Sequence, residues 1–346
     1  MDQVAHHHQL VDELQASWPI DQWQGLSIVV AVSGGADSVA LVCALSTLAA
    51  RAEAQLVIAH FNHQWRDDAG EDALFVEQLA QQLGWKTVHG QAAADEVRSE
   101  QAARDARYAF LLDVARTEGA RFVVTGHTAD DQVETILDRI IRGTGLRGLA
   151  GIPRTRVLDD GIVLLRPLLG CHKSELQQYL HDCGQSWRED ESNQDRDFTR
   201  NRIRHQLLPL LKSDFQESVE DSLLNLAQIA SQTQQFLGQL AGDLAAAAVK
   251  VRQDPHEQVV TITLDAIFGA APLVVREMLV DTWCQLGWPR QSMGLRQWNQ
   301  LLEMMLDPEA PCQQTFPGNV RVTREEKKSG GQLLLTRRRE SFEKDS

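Results

Sequence analysis

The sequence predicts an α/β fold: a doubly wound parallel sheet, followed by a smaller, mainly helical C-terminal domain with a strand-rich tail. Three observations carry that prediction. Short apolar, largely β-branched runs alternate with segments of helical period from residue 28 to about 185, the signature of strand–helix–strand units. Polar and glycine residues gather directly after those runs, where open parallel sheets bind their ligands. From 206 onward the alternation gives way to long Gln- and Ala-rich helical sequence, and then to short β-like runs.

Taken in order, residues 1–24 read as a lead-in helix. His6, His7 and His8 precede it, but three adjacent histidines cannot share one helix face, so a solvated terminus is expected rather than a metal site. Ile28 to Val32 is a buried strand. The turn Ser33-Gly34-Gly35-Ala36-Asp37-Ser38 follows at once, and Val39, Leu41, Val42, Leu45 and Leu48 then recur at helical spacing. Glycines let the backbone approach a ligand, and the first N–H groups of a helix are free to bind an anion. Ser33 and Ser38 add hydroxyls, and Asp37 offers a hard oxygen suited to Mg²⁺. The turn therefore reads as a phosphate-binding loop. Neither a Walker Gly-Lys-Ser/Thr ending nor a dinucleotide fingerprint stands at it.

A second strand at 55–60 runs into His60-Phe61-Asn62-His63-Gln64-Trp65-Arg66. Helix 70–83, strand 86–89 and a long helix over 95–118 come next, the last carrying Arg104, Arg107 and Tyr108. Strand 121–125 ends in Gly126-His127, and the following helix buries Val133, Ile136, Leu137, Ile140 and Ile141. Asp131 and Glu134 lie three apart and share a face. Spacing alone allows either an acidic first turn complementing the helix dipole or a functional pair, and His127 at the sheet's ligand-binding edge favours function. A basic, glycine-rich exit from Arg139 to Gly151 could cover phosphates, touch RNA or form a flexible loop. Strand 162–165 and a helix with Ser174 as N-cap follow. In 187–205 an acidic run passes into Arg200, Arg202 and Arg204, spaced for bidentate phosphate contacts, with Phe198 as a stacking surface; a solvated helix start with internal ion pairs is the alternative. Residues 206–252 read as helical, Asp254-Pro255-His256 as a joint, 259 onward as β-like, 272–286 and 293–306 as helices, and the remainder as antiparallel strands closed by Arg337-Arg338-Arg339.

Length and composition bound the function. The 346 residues allow two domains, expected at 1–215 and 216–346, and a hydrophobic share of 43% is that of a soluble globular protein. No apolar run reaches a membrane span and the amino terminus lacks signal-peptide features, so neither membrane nor secretion is expected. Cys43, Cys171, Cys183, Cys284 and Cys312 are scattered without a CxxC, which fits a reducing, cytoplasmic setting. The net charge of −14 argues against a general nucleic-acid binder, but a polyanion responds to the local field, and the arginines are clustered.

The 33–38 turn resembles the PP-loop of N-type ATP pyrophosphatases, which cleave ATP between its α and β phosphates, so the first domain is expected to be PP-loop/adenine nucleotide alpha hydrolase-like. Further stretches narrow the likeness: His60-x-Asn62-His63-x-x-Arg66; Glu100-x-Ala102-x-Arg104-x-x-Arg107-Tyr108; Gly126-His127-x-x-x-Asp131-Gln132-x-Glu134-Thr135; Arg166-Pro167-Leu168-Leu169; and Asp190-x-Ser192-Asn193 with Thr199-Arg200-Asn201-Arg202-Ile203-Arg204. Together they are similar to the tRNA(Ile)-lysidine synthetase family, densely over 25–215 and loosely beyond. Gln64-Trp65 departs from a usual Gly-Leu pair.

The resemblance implies a ligase. O2 of the wobble cytidine in a tRNA with a CAU anticodon is adenylated by ATP with loss of pyrophosphate, and the ε-amine of free L-lysine then displaces AMP from C2. It also implies roles. Ser33, Gly34, Gly35, Ala36, Asp37, Ser38, His60, Arg104 and Gly126 would bind ATP, with Mg²⁺ on Asp37. Asp37, His127, Asp131 and Glu134 would be catalytic, Asp131 and Glu134 would bind lysine, and Arg107, Arg200, Arg202 and Arg204 would bind tRNA. The protein is expected to be a monomer or homodimer. A tRNA 2-thiolase of the same fold would need paired cysteines, and an amidotransferase-linked synthetase a glutaminase-like segment; neither is present.

Overall fold

The computed structural model describes residues 9–64, 69–92, 100–189, 199–290, 292–307, 309–327 and 330–338. His6 to His8, Trp65, Arg66, the 95–99 start of the expected long helix, the 190–198 stretch with Phe198, and Arg339 lie outside them.

Chain contacts divide the molecule into two units, Met1–Ala230 and Ser231–Ser346. The first opens with α1 (Gln9–Ser17) and a single 3₁₀ turn, then runs β1 (Ser27–Ala31), α2 (Ala36–Ala52), β2 (Gln55–Asn62), α3 (Ala69–Leu83), β3 (Lys86–Gln91), α4 (Glu100–Thr117) and β4 (Phe122–Val124). It continues with α5 (Ala129–Arg142), the short α6 (Leu146–Leu149), β5 (Thr155–Asp159), β6 (Ile162–Leu165), α7 (Lys173–Asp182) and α8 (Thr199–Arg202). A π-helical turn, Ile203–Leu207, joins α8 to α9 (Leu208–Asp214). Helix α10 (Val219–Ala248) contributes residues to both units.

The sheet order is β3-β2-β1-β4-β6-β5, parallel throughout except for the β5 edge strand. The expected doubly wound parallel sheet is therefore present. Alternation along β1 shows how it is covered. Ile28 and Val30 face a core built with Leu10, Leu14, Leu41, Leu45, Leu79 and Leu176 from α1, α2, α3 and α7. Val29 faces the opposite core with Leu111, Val114 and Ala115 of α4. Both faces of β1 are thus buried, which is why it reads as a continuous apolar run.

The chain winds outward from β1 through β2 to β3 and then returns to β4 on the other side of β1. Strand order reverses between β1 and β4, so the segments leaving these two strands flank the crevice where α/β sheets bind ligands. A separate apolar cluster, Val133, Ile136 and Leu137 of α5 with Ile203, Leu208, Leu223 and Ala227, anchors the 199–214 helical run against α5.

Four local expectations are corrected, the first being that Ile140 and Ile141, read into the buried stripe of α5, are exposed. Helix α7 begins two residues earlier than an N-cap at Ser174 requires, because His172 is the cap: its N–H donates to Glu175 Oε2 at 2.6 Å. The helical reading to 252 overruns. Helix α10 stops at Ala248, and Val249–Gln253 forms strand β7, paired antiparallel with β8 (Glu257–Thr263) around the Asp254-Pro255-His256 turn. The alanine run conceals that change of period. Strand β5 went unread because its side chains are mostly exposed and lack alternation.

In the second unit, β7 and β8 join β9 (Gln313–Phe316), β10 (Val320–Lys327) and β11 (Gly330–Arg338) in an antiparallel sheet of order β7-β8-β11-β10-β9. The short α11 (Leu264–Ile267), α12 (Pro272–Gln285) and α13 (Leu295–Leu306) complete it. Its core joins Val260, Ile262, Leu333 and Leu335 to Met278, Leu279, Trp283 and Trp298.

Candidate active site

The 33–38 turn leaves β1 as a tight, self-bonded loop. Ser38 Oγ donates to the Gly35 carbonyl at 3.0 Å, accepts the Ser33 N–H at 3.1 Å, and lies 3.2 Å from Ser33 Oγ. Gly34 sits at φ +99°, a backbone region closed to most side chains. The Gly34 carbonyl accepts the Arg188 N–H at 2.9 Å, and the Arg188 guanidinium is held by Glu71 and Asp72. Ala36 is buried, and α2 begins there with its first N–H groups at the loop.

Asp37, in the first turn of α2, is the unusual member. Its Oδ1 is buried without a hydrogen-bond partner, and Lys173 Nζ stands 3.7 Å from Oδ2. Burial raises its pKa to about 6; Lys173 offsets this in part, and Asp131 and Asp130 add to it.

Gly126 ties the two crevice segments together. A β-carbon there would lie 2.9 Å from the Asp37 carbonyl oxygen and 3.1 Å from the Ser38 nitrogen, so only glycine lets the end of β4 close on α2. Beyond it, His127 Nδ1 meets Thr125 Oγ1 at 2.9 Å. Burial, reinforced by Arg166, Arg107, Arg200 and Arg104, lowers the His127 pKa to about 3, so its imidazole is neutral at physiological pH. Thr128 caps α5 reciprocally with Asp131: the Thr128 N–H donates to Asp131 Oδ2 at 2.9 Å, and the Asp131 N–H donates to Thr128 Oγ1 at 3.4 Å.

Asp131 therefore caps the helix, as one of the two readings of the acidic pair expects, and both carboxylates also meet arginines from α8 and the π turn. Arg200 Nη2 is 2.5 Å from Asp131 Oδ1, and Arg200 Nε is 2.6 Å from Glu134 Oε2. Arg204 Nε is 2.5 Å from Glu134 Oε1. Glu134 is only 1% exposed, so its charge is compensated entirely within the protein. Arg202 points to solvent. A cleft of about 230 Å³ is lined by Asp37, Asp131, Glu134, Lys173 and Arg204, among others.

His60, at the end of β2, is buried; its Nδ1–H donates to the Val32 carbonyl at 2.9 Å, while Nε2 is buried without a partner. Burial lowers its pKa. Arg104, Arg107 and Arg156 surround the Tyr108 ring at 5.6, 5.6 and 5.7 Å from its centroid, and Arg166 Nη2 lies 3.4 Å from the Tyr108 hydroxyl. Burial would raise the Tyr108 pKa, but Arg166, Arg107 and Arg104 bring it below its ordinary value. The 139–151 exit is tied down: Arg139 Nη1 donates to the carbonyls of Gly148 at 2.9 Å and Gly151 at 2.6 Å.

Sequence reasoning missed Lys173 and Arg188. Lys173 follows β6, at the same sheet edge as the loops after β1 and β4, and a basic residue there was the available signal. Arg188 gave none, since its contact with Gly34 is a long-range backbone bond.

A strand, a Ser-Gly-Gly-x-Asp-Ser turn and a helix at a sheet's switch point define a PP-loop nucleotide-binding domain, and the PP-loop domain family matches residues 6–211. A protein of Rhodopirellula baltica named tRNA(Ile)-lysidine synthase is 32% identical, over 87% of this chain and 85% of its own length. Proteins of the same name from Deinococcus deserti and Geobacter sulfurreducens are 41% and 45% identical over 68% and 54% of this chain, which spans 43% and 40% of their lengths. The chain belongs to the tRNA(Ile)-lysidine synthase family. Among solved structures, a U34-tRNA thiolase of Methanococcus maripaludis shares the fold at a TM-score of 0.55 and 13% identity, covering 64% of this chain and 78% of its own.

Proposed function

We propose that this protein ligates free lysine to C2 of the wobble cytidine in a CAU-anticodon tRNA, using ATP. One observation supports this most directly: the switch point brings the phosphate loop, through Asp37, and the acidic start of α5, through Asp131 and Glu134, into one cleft. An adenylated base and an amine nucleophile need that adjacency.

In the first step cytidine O2 attacks the α-phosphorus of ATP, the bond to the bridging oxygen breaks, and pyrophosphate leaves. Loop N–H groups, Ser33 and Ser38 hold the phosphates. Neutral His127, oriented by Thr125, gives the α-phosphate a hydrogen bond, and Arg104 and Arg107 supply positive charge nearby. The donor set fits Mg²⁺: the Asp37 Oδ1 atom is a buried hard oxygen with no protein partner, and Mg²⁺ needs few protein ligands beside phosphates. Held there by Asp37, Mg²⁺ would supply positive charge to offset that of the departing pyrophosphate.

In the second step the lysine ε-amine attacks C2 and AMP leaves. Asp131 and Glu134 receive the ammonium, with Asp131 shared between it and Arg200. Carboxylates favour an ammonium whose ordinary pKa is about 10.4, whereas the nucleophile must be neutral. Asp131, the less enclosed of the pair, takes the proton as the bond forms. Arg202, exposed beside this site, contacts the tRNA backbone. The reaction takes place in the cytoplasm; among the described residues no helix is long and apolar enough to cross a membrane.

Incubation with CAU-anticodon tRNA, ATP, Mg²⁺ and labelled lysine should yield labelled lysidine on nucleoside analysis, with AMP and pyrophosphate. ADP and orthophosphate, or an unmodified cytidine, would overturn the proposal. Asp131→Asn should lower kcat at saturating lysine by about 10²-fold or more; a near-normal kcat would remove Asp131 as proton acceptor.

A further inference from the structure

The cleft that holds Asp131 and Glu134 continues to a second pair of opposite charges. Its wall also includes Leu208, Pro209 and Lys212 of α9 and Glu220 of α10. Lys212 Nζ lies 2.7 Å from Glu220 Oε2, and the two side chains are 43% and 21% exposed. We propose that this ion pair recognises the α-carboxylate and α-ammonium of the free amino-acid substrate, and so sets the substrate's length and orientation. The inference rests on the proposed lysine ligation.

Charge and shape both point this way. Asp37, Asp130, Asp131, Glu134 and Glu220 line the cleft with Lys173, Arg204 and Lys212, and Arg200 pairs with Asp131 and Glu134, so five carboxylates meet four cations and the cavity favours a substrate of net positive charge. A zwitterion beside an existing ion pair forms an alternating square: its carboxylate meets Lys212 and its ammonium meets Glu220. Leu208 and Pro209 offer apolar contact to a methylene stem. With the head fixed at Lys212 and Glu220, only a stem that reaches Asp131 and Glu134 delivers its terminal amine.

Chemistry requires such a device. A free amino acid carries an α-amine as well as a side-chain amine, and either could attack the activated base. Pairing the α-ammonium with Glu220 keeps it protonated and away from the reacting carbon, while the carboxylate on Lys212 excludes diamines.

Two analogues separate the contacts: cadaverine lacks the carboxylate, and 6-aminohexanoate lacks the α-amine. The wild type should use lysine at least about 100-fold better than either, by kcat/KM, as expected when a polar site is left unpaired. In Lys212→Gln the KM for lysine should rise about tenfold or more with kcat at saturation little changed, a charge-assisted contact being lost. Its preference for lysine over cadaverine should collapse, and Lys212→Arg should restore it. Glu220→Gln should lose the preference over 6-aminohexanoate and keep that over cadaverine. A purely structural tie between α9 and α10 would lower use of lysine and both analogues alike, and that result, or an unchanged KM, would overturn the inference. If the wild type forms no adduct with lysine or either analogue, the failure lies in the proposed ligation.

Discussion

Two carboxylates, one buried and one partly exposed, face the same cleft in opposite conditions. Glu134, on α5, is almost fully enclosed, yet each of its oxygens meets an arginine. Asp37, in the first turn of α2, is about a quarter exposed, yet one oxygen has no partner and the other has only a lysine at 3.7 Å. Burial alone would predict that Glu134 suffers more. Satisfied hydrogen bonds, not depth, therefore decide whether an enclosed charge is stable. Glu134 has both oxygens satisfied within the protein. The α2 region presents an oxygen that a cation can use, which is the condition expected of a phosphate loop.

Breaking the α5 side should have the largest effect. In Glu134→Gln one neutral amide replaces the carboxylate that holds Arg200 and Arg204, leaving two guanidiniums in partly buried positions. Removing one member of a buried ion pair costs about 3–5 kcal/mol, and the partial exposure of Arg200 places this loss near about 3 kcal/mol. Urea denaturation at neutral pH should show it as a lower midpoint with an unchanged slope. A loss below about 0.5 kcal/mol would mean that the arginines find equivalent partners in solvent.

The junction between the two regions comes next. Gly126→Ala places a methyl group 2.9 Å from the Asp37 carbonyl oxygen, and both sides of the contact are backbone. Overpacking of this kind costs about 1–3 kcal/mol. The displaced α2 turn should also raise the KM for ATP about tenfold, because the loop donors lose alignment. Steady-state kinetics with ATP varied would check this. An unaltered KM would show that the loop's geometry is independent of β4.

This contrast also marks what could be read from the chain. Ser33 to Ser38 was legible because an apolar strand, two glycines and a helical stripe are contiguous, so local periodicity identifies the turn. Asp131 and Glu134 were legible from helical spacing. Their arginine partners were not: the spacing of Arg200 and Arg204 suits phosphate contacts or ion pairs within their own stretch, and only the packing of Ile203 and Leu208 on α5 brings them to carboxylates about 70 residues away in sequence. Lys173 was hidden for a related reason: its partner Asp37 is distant in sequence, and a cap at Ser174 leaves Lys173 outside the helix. Strand β7 failed on different grounds: five residues of strand follow a 30-residue helix without glycine or proline between them.

The smallest expected effect, and the one that tests the α2 side directly, is a gain in stability. Asp37 has its pKa raised from 3.8 to about 6, mainly by burial. A carboxyl raised in the folded state favours folding fully below its unfolded pKa, and that contribution is lost as pH rises through the folded value. Asp37→Asn removes the ionisation. The two proteins should therefore differ least near pH 4, and the variant should become relatively more stable between pH 4 and about 7. The shift corresponds to roughly 3 kcal/mol at 1.36 kcal/mol per pKa unit, and residual solvent access reduces this to about 1–2 kcal/mol. Thermal midpoints across that range would measure it. The same variant should bind ATP with Mg²⁺ at least about tenfold more weakly, because an amide oxygen is a poor replacement for a charged ligand. Parallel stability curves for the two proteins would mean that Asp37 is solvated in the folded state, and the contrast with Glu134 would disappear.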